Sequence, residues 1–187
     1  MPSERSKLLG YFRLAGVYAF VGALAWFSRP TPPLFWAGTA IVAAGEFVRI
    51  WAAGHLIKSL ELIDSGPYAY TQNPLYLGRL LILTGFCLMA RSEHYLNWLA
   101  LAAGYFIFFG YYLPRKLRVE GARLEKMHPG SWTRYRDAVP VLFPSLRRYP
   151  GRRTPWSVAR AIHNQEPLVL GGVLFVLGFF AWRTWGG

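Results

Sequence analysis

The chain has 187 residues, of which 53% are hydrophobic, 17% aromatic and 16% charged, and it carries a net charge of +12. So apolar a composition argues against an ordinary water-soluble domain, in which about a quarter of the residues are charged. The positive charge would suggest nucleic acid in a soluble protein, so its placement has to be read against the apolar runs first.

About 20 consecutive apolar residues cross the roughly 30 Å hydrocarbon core of a bilayer as a helix. Five runs reach or approach that length. The first covers residues 10–27 and the second 34–53, joined by Arg29-Pro30-Thr31-Pro32-Pro33, whose prolines predict a tight break between two helices. The third, 75–90, and the fourth, 95–113, are separated only by Arg91-Ser92-Glu93-His94 and predict a second hairpin. The fifth, 168–185, follows a long polar stretch. Trp26, Trp36, Trp98, Trp182 and Trp185 stand near run ends, where aromatic rings settle at the membrane interface. The first run lacks a small-residue cleavage site and leads at once into another span, so it reads as a retained helix and not as a signal peptide. Cys87, the single cysteine, lies in the third run, has no disulfide partner and reads as a packing residue. The expected fold is all-α: a polytopic transmembrane helical bundle of about five spans forming one membrane domain over 1–187, with a cytoplasmic segment over 115–150.

Arg5, Lys7 and Arg13 precede or open the first run, Lys58 follows the second, and twelve basic residues stand between Arg115 and Arg160. If the spans alternate, all of these share one side, and the other receives only Arg29, Arg91 and Arg183. Loops rich in lysine and arginine stay in the cytoplasm, so the N-terminus is expected there and the C-terminus on the opposite side. Arg147, Arg148, Arg152 and Arg153 then read as contacts to anionic phospholipid headgroups, and a nucleic-acid role is set aside.

The most informative string is Gly66-Pro67-Tyr68-Ala69-Tyr70-Thr71-Gln72-Asn73-Pro74-Leu75-Tyr76-Leu77-Gly78. Gly66-Pro67 predicts a turn and Asn73-Pro74 a break just before a helix, with Pro74 in a first turn that needs no donor. The free amides of that helix start would favour an anionic or carboxylate-bearing ligand in a cytoplasmic pocket. Read alone, the string fits an ordinary loop entering a membrane helix just as well. Arg79, just inside the third run, faces either a wet cavity or the nearby interface. Glu46 and Arg49, three apart on one helical face, are expected to pair with each other. Glu120 lies within helical reach of Lys116 and Arg123. The four histidines, His55, His94, His128 and His163, are scattered without ligand spacing, so no metal site is expected.

The Gly66–Gly78 string resembles the G-P-Y-x-x-x-R-H/N-P-x-Y-x-G signature of the isoprenylcysteine carboxyl methyltransferase and phospholipid methyltransferase superfamily. Glu120, Leu124, Trp132, Tyr135, Val139, Pro140 and Pro144 are similar to its C-terminal pattern. Gly45-Glu46-Phe47-Val48-Arg49-Ile50-Trp51-Ala52 is similar to the Gly-x-x-x-Arg-x-Trp-Ala that often ends its preceding span. The three matches fall in the expected order over residues 45–144. The resemblance implies a pocket for S-adenosyl-L-methionine, released as S-adenosyl-L-homocysteine, closed between the third and fourth spans and the cytoplasmic segment, with the methyl acceptor entering sideways from lipid. It places Tyr70, Asn73, Pro74, Tyr76 and Gly78 beside the cofactor and Glu120 and Tyr135 on the other wall, with Asn73 and Glu120 nearest the chemistry. Arg79 would approach the cofactor carboxylate or a lipid headgroup. The chain departs from the pattern twice. Gln72-Asn73 replaces Arg-His, which removes any histidine base, and Glu120-Gly121 replaces a pair of glutamates.

The implied reaction is an in-line displacement on the sulfonium methyl by a lipid-borne phospholipid amine, isoprenoid carboxylate or thiol, helped by alignment and water exclusion. Two alternatives stay open: an NADPH-dependent reductase of the sterol-reductase type, whose C-terminal half has similar Trp-x-x-Tyr and Val-Pro elements, and a non-catalytic scaffold or small transporter. In the fifth run, Gly171-Gly172 and Gly178 would allow close helix approach.

Overall fold

Residues 22, 26–57, 62–92 and 95–186 are described by a computed structural model of the chain. The expected first span, 10–27, falls almost wholly outside the described residues, as do Arg5, Lys7, Arg13, Lys58, Glu93 and His94. Among the described residues the structure is all-helical, without strands. Prolines open its helices where first-turn amides have no acceptor to lose. Pro32 and Pro33 begin α1 (Pro32–His55), and Pro74 begins α2 (Pro74–Met89). After α3 (Leu96–Ile107) the chain passes through a π-turn (Phe108–Tyr112) into α4 (Leu113–Met127). Then follow α5 (Ser131–Ala138), α6 (Val158–His163) and α7 (Glu166–Trp185).

Three of these stretches are long and apolar enough to cross a membrane: Pro32–His55, Leu96–Met127 and Glu166–Trp185. The 16-residue α2 is apolar but shorter, about 24 Å at 1.5 Å per residue. The fourth apolar run is expected to end at residue 113. The helix that begins at Leu96 does not stop there but continues to Met127. Pro114 has no amide to give to the helical ladder and should break it. The preceding π-turn absorbs the mismatch: the Leu113 amide reaches back five residues to the Phe108 carbonyl, and the widened turn gives the proline ring room.

α1 and α2 run antiparallel with glycine against glycine. A Cβ placed on Gly85 would lie 2.7 Å from the Gly38 carbonyl oxygen, and one on Gly45 would lie 2.8 Å from that of Gly78. Such small faces let two backbones touch, the usual basis of helix association where lipid removes the hydrophobic drive between helices. α7 completes this layer: Val173, Val176 and Phe180 pack with Phe35, Val42, Phe86 and Met89, and Phe180 stacks on Phe86 at 6.0 Å. Gly171 and Gly178 do not serve close approach within the described chain, since nothing lies within 4 Å of a Cβ added at either.

The helix ends sort into two groups. The Trp185 ring meets Phe35 at 4.9 Å, Arg183 donates to the Ser28 carbonyl at 3.0 Å, and the Arg29 amide donates to the Arg91 carbonyl at 2.7 Å. The 26–32 and 90–92 links therefore lie together with the end of α7. At the opposite end, carbonyls in the last turns of α1 and that of Leu56 just past it are taken up by a distant segment. Asn164 donates to Ala53 and Leu56, each at 2.9 Å, Arg160 donates to Gly54 at 2.8 Å, and the Trp156 indole donates to Ile50 at 3.1 Å. The Pro-rich linker before α6 thus leads into a strap docked on α1.

The expected Glu46–Arg49 pair does not form. Arg49 instead grips Glu166 at the start of α7, with contacts of 2.9 and 3.0 Å, both side chains 4% exposed. A partner 117 positions away offers a two-pronged fit that spacing of three along one helix does not. Glu46 is buried, with neither carboxylate oxygen hydrogen-bonded among the described residues.

Candidate functional site

Two segments distant in sequence, 68–79 and 116–135, share one cavity of about 390 Å³ between α2, α4 and α5. Its lower wall is the string before α2. Gly66 adopts φ +58 and starts a 3-10 turn (Gly66–Ala69), and a Cβ there would strike the His55 ring, so glycine is required on both counts.

The first segment is laced by hydrogen bonds to residues 135–149, at the end of the second and just past it. The Gln72 amide donates to the Pro140 carbonyl at 2.9 Å, while the Ser145 and Tyr149 amides donate to the Tyr70 and Ala69 carbonyls at 2.9 Å. The Gln72 side chain donates to the Val139 carbonyl at 2.5 Å and to that of Arg136 at 3.1 Å. Thr71 donates to the Leu142 carbonyl at 2.8 Å, and Tyr135 donates its phenol proton to the Tyr68 carbonyl at 2.8 Å. Burial pushes the phenols of Tyr68 and Tyr135 well above their ordinary range, so Tyr135 remains a donor at any working pH.

Asn73 is almost fully buried and spends both faces of its amide. Its Nδ2 donates to the Val141 carbonyl at 2.8 Å, and its Oδ1 accepts from Lys116 Nζ at 2.5 Å. Lys116 also contacts Glu120 Oε2 at 2.8 Å, so one ammonium joins the two segments. Asn73 therefore sets the position of Lys116, and the group it leaves open toward the cavity is the lysine. The Asn73 carbonyl also takes the Tyr76 and Leu77 amides at 3.1 Å. Of the free amides expected at the start of α2, only that of Leu75 has no acceptor among the described residues.

Of the residues picked out in the sequence, Asn73, Pro74, Tyr76, Arg79, Glu120 and Tyr135 line the cavity. Gly78 and Tyr70 do not. Gly78 presses on Gly45 and Arg49 of α1, where any side chain would collide, and is a helix-packing residue. Tyr70 stacks obliquely with Trp51 at 6.3 Å. Glu120 is half-exposed, its carboxylate toward Lys116. The Tyr76 ring carries two cations, the Arg79 guanidinium at 5.2 Å and the Lys116 ammonium at 4.9 Å from its centroid. Gly121, in place of a second glutamate, lies beside the Trp132 indole, whose Cζ2 would be 3.7 Å from an added Cβ.

Sequence reasoning missed Lys116 as the bridge and Gln72 as the main tie. The four-residue spacing of Lys116 and Glu120 signals their pair, but no spacing reveals the third partner across 43 positions. Leu56, Ile57, Leu62 and Ile63, which follow α1, also line the cavity and carry no motif. Among the described residues, no three His, Cys, Asp or Glu side chains come together as a metal site would require.

No family model matches the chain, and no solved structure matches it. The chain is similar to the cobalt-zinc-cadmium resistance protein CzcN of Cupriavidus metallidurans, with 29% identity over 157 residues that take in 80% of this chain and 69% of that one.

Proposed function

We propose that this chain is an integral membrane methyltransferase that holds S-adenosyl-L-methionine in the cavity between α2, α4 and α5 and methylates a lipid-borne or hydrophobic acceptor at the cytoplasmic face. The observation that carries the reading is the convergence of the Asn73 and Glu120 segments on one chamber through Lys116. Its volume suits a small-molecule cofactor, and its lining mixes apolar walls with a few polar groups, as such sites do. Trp132 offers an aromatic face to a sulfonium, Glu120 offers a countercharge, and the Lys116 ammonium and Leu75 amide suit a carboxylate.

In the reaction an acceptor lone pair forms the new bond to the methyl carbon while the carbon–sulfur bond breaks, its electron pair returning to sulfur to leave a neutral thioether. No proton need move if the acceptor is a carboxylate or thiolate; an amine must shed one. The protein's part is alignment and exclusion of water, and Glu120 balances the sulfonium charge before transfer. The sidedness follows from the basic residues of 115–160, which stand at the cavity end of the bundle.

Membranes containing the chain, incubated with methyl-labelled S-adenosylmethionine, are expected to yield a labelled organic-soluble product. Glu120→Gln is expected to reduce the label at least tenfold, about the worth of one charged contact to the reacting group. Label confined to water-soluble products, or equal in the Glu120→Gln membranes, would refute the assignment.

The similarity to CzcN supports a second reading, participation in resistance to cobalt, zinc or cadmium. Cells lacking the gene would then grow less well on those cations, and restoring Glu120→Gln in place of the native chain would show whether the cavity is involved.

A further inference from the structure

Arg79 is the cavity residue whose chemistry the lacing does not use up. It lies five residues past Pro74, about 7.5 Å further along the helix, on an otherwise apolar stretch of α2. It is exposed, and no oxygen among the described residues accepts a hydrogen bond or ion pair from its guanidinium. Its one close partner among the described residues is the Tyr76 ring. The nearby carboxylate, Glu166, is held by Arg49. Lys116, on the same ring, spends two of its three donors on Asn73 and Glu120. Around Tyr76 the charges are therefore Arg79 and Lys116 against Glu120, one positive charge in excess. Tyr111 and Tyr112, exposed on the neighbouring π-turn, supply aromatic edges of the kind found at headgroup level.

A guanidinium with five unanswered donors on a membrane helix, one or two turns from its polar end, meets the phosphate layer of the bilayer by extending along the helix. Its fork matches two oxygens of one anion. We propose that Arg79, steadied by Tyr76 and backed by Lys116, is the receptor for the phosphate of a membrane lipid whose headgroup enters the cavity from the side. On the methyl-transfer reading, on which this role in catalysis rests, that lipid is the acceptor or occupies its place, and Arg79 selects phosphate-bearing acceptors over uncharged ones. It does not serve the cofactor.

The test uses the full chain in detergent, with dioleoylphosphatidylglycerol and dioleoylglycerol as matched lipids with and without phosphate, read by native mass spectrometry. The native chain is expected to retain the phosphate lipid about tenfold better, the worth of one charge-assisted contact. Arg79→Gln is expected to erase the preference and Arg79→Lys to keep part of it. Glycerol 3-phosphate in solution is expected not to displace the lipid; displacement at equal concentration would mean a soluble phosphate ligand and overturn the lipid assignment. S-adenosylhomocysteine titrated into Arg79→Gln is expected to bind as it does to the native chain. A preference intact in Arg79→Gln, or a cofactor affinity lost there while lipid retention is unchanged, overturns the proposal. Absence of cofactor binding in both chains, with lipid retention behaving as expected, leaves the phosphate site standing and removes the methyl-transfer reading instead.

Discussion

Gly85→Leu is expected to lower the melting temperature of the purified chain by about 10 °C or more, the equivalent of roughly 3 kcal/mol in a domain of this size. A Cβ at that position lies 2.7 Å from the Gly38 carbonyl oxygen and 2.6 Å from Val42 Cγ2, and the next nearest atom is the Val42 amide nitrogen at 3.0 Å. Two of these three are backbone atoms of α1, so no rotamer change makes room and the helices must separate. Separation also loosens the contacts of Val42 and Phe86 with α7. Gly171→Leu is the matched control, because a Cβ there meets nothing within 4 Å among the described residues. Equal melting of the two variants would mean that α1 and α2 are not packed glycine on glycine.

The second large effect lies at Arg49 and Glu166. With both side chains 4% exposed, Glu166→Gln leaves a buried guanidinium without its countercharge, a loss of about 3–5 kcal/mol. The double replacement Arg49→Met with Glu166→Leu is expected to return to within about 1 kcal/mol of the native chain, since a packed apolar pair carries no desolvation penalty. Glu46 sharpens the test. Buried and without a hydrogen bond, it is the other carboxylate on the Arg49 face. Adding Glu46→Gln to Glu166→Gln should therefore cost more than Glu46→Gln alone, by a coupling that thermal unfolding in detergent resolves. A Glu166→Gln chain as stable as the native one would show that this ion pair does not fasten α7 to α1.

Much of the helical layout was legible because local rules decided it. Proline and apolar length mark the start of α1 at Pro32, of α2 at Pro74 and the extent of α7, and the expected runs 34–53, 75–90 and 168–185 lie within a few residues of these helices. The continuation of the helix past Pro114 was not legible, because it depends on the turn before the proline and a π-turn has no local signature in Phe108-Phe109-Gly110-Tyr111-Tyr112. Gly78 misled for a different reason. Its place in a motif suggested a ligand, whereas its match to Gly45 across an antiparallel pair shows why that position admits no side chain.

At the site, the residue types were legible and their partners were not. Asn73 stood out by its neighbours Pro74 and Tyr76, yet its amide is engaged by Lys116 and by the Val141 carbonyl, contacts that exist only once 68–79 folds against 116–142. Gln72, which replaces an arginine of the resembled pattern, holds the Val139 and Arg136 carbonyls with a neutral donor. Arg49 shows the same limit: spacing offered Glu46, and the fold supplied Glu166.

The most direct test of the account is calorimetric titration of the folded chain in detergent with S-adenosylmethionine, the sulfonium ligand whose charge Glu120 is assigned to balance. One saturable site per chain is expected, weakened at least about tenfold by Glu120→Gln, whose half-exposed position lets the variant fold normally. A monodisperse native chain that gives no binding signal, or a Glu120→Gln chain with undiminished affinity, would contradict the claim that this cavity holds the methyl donor.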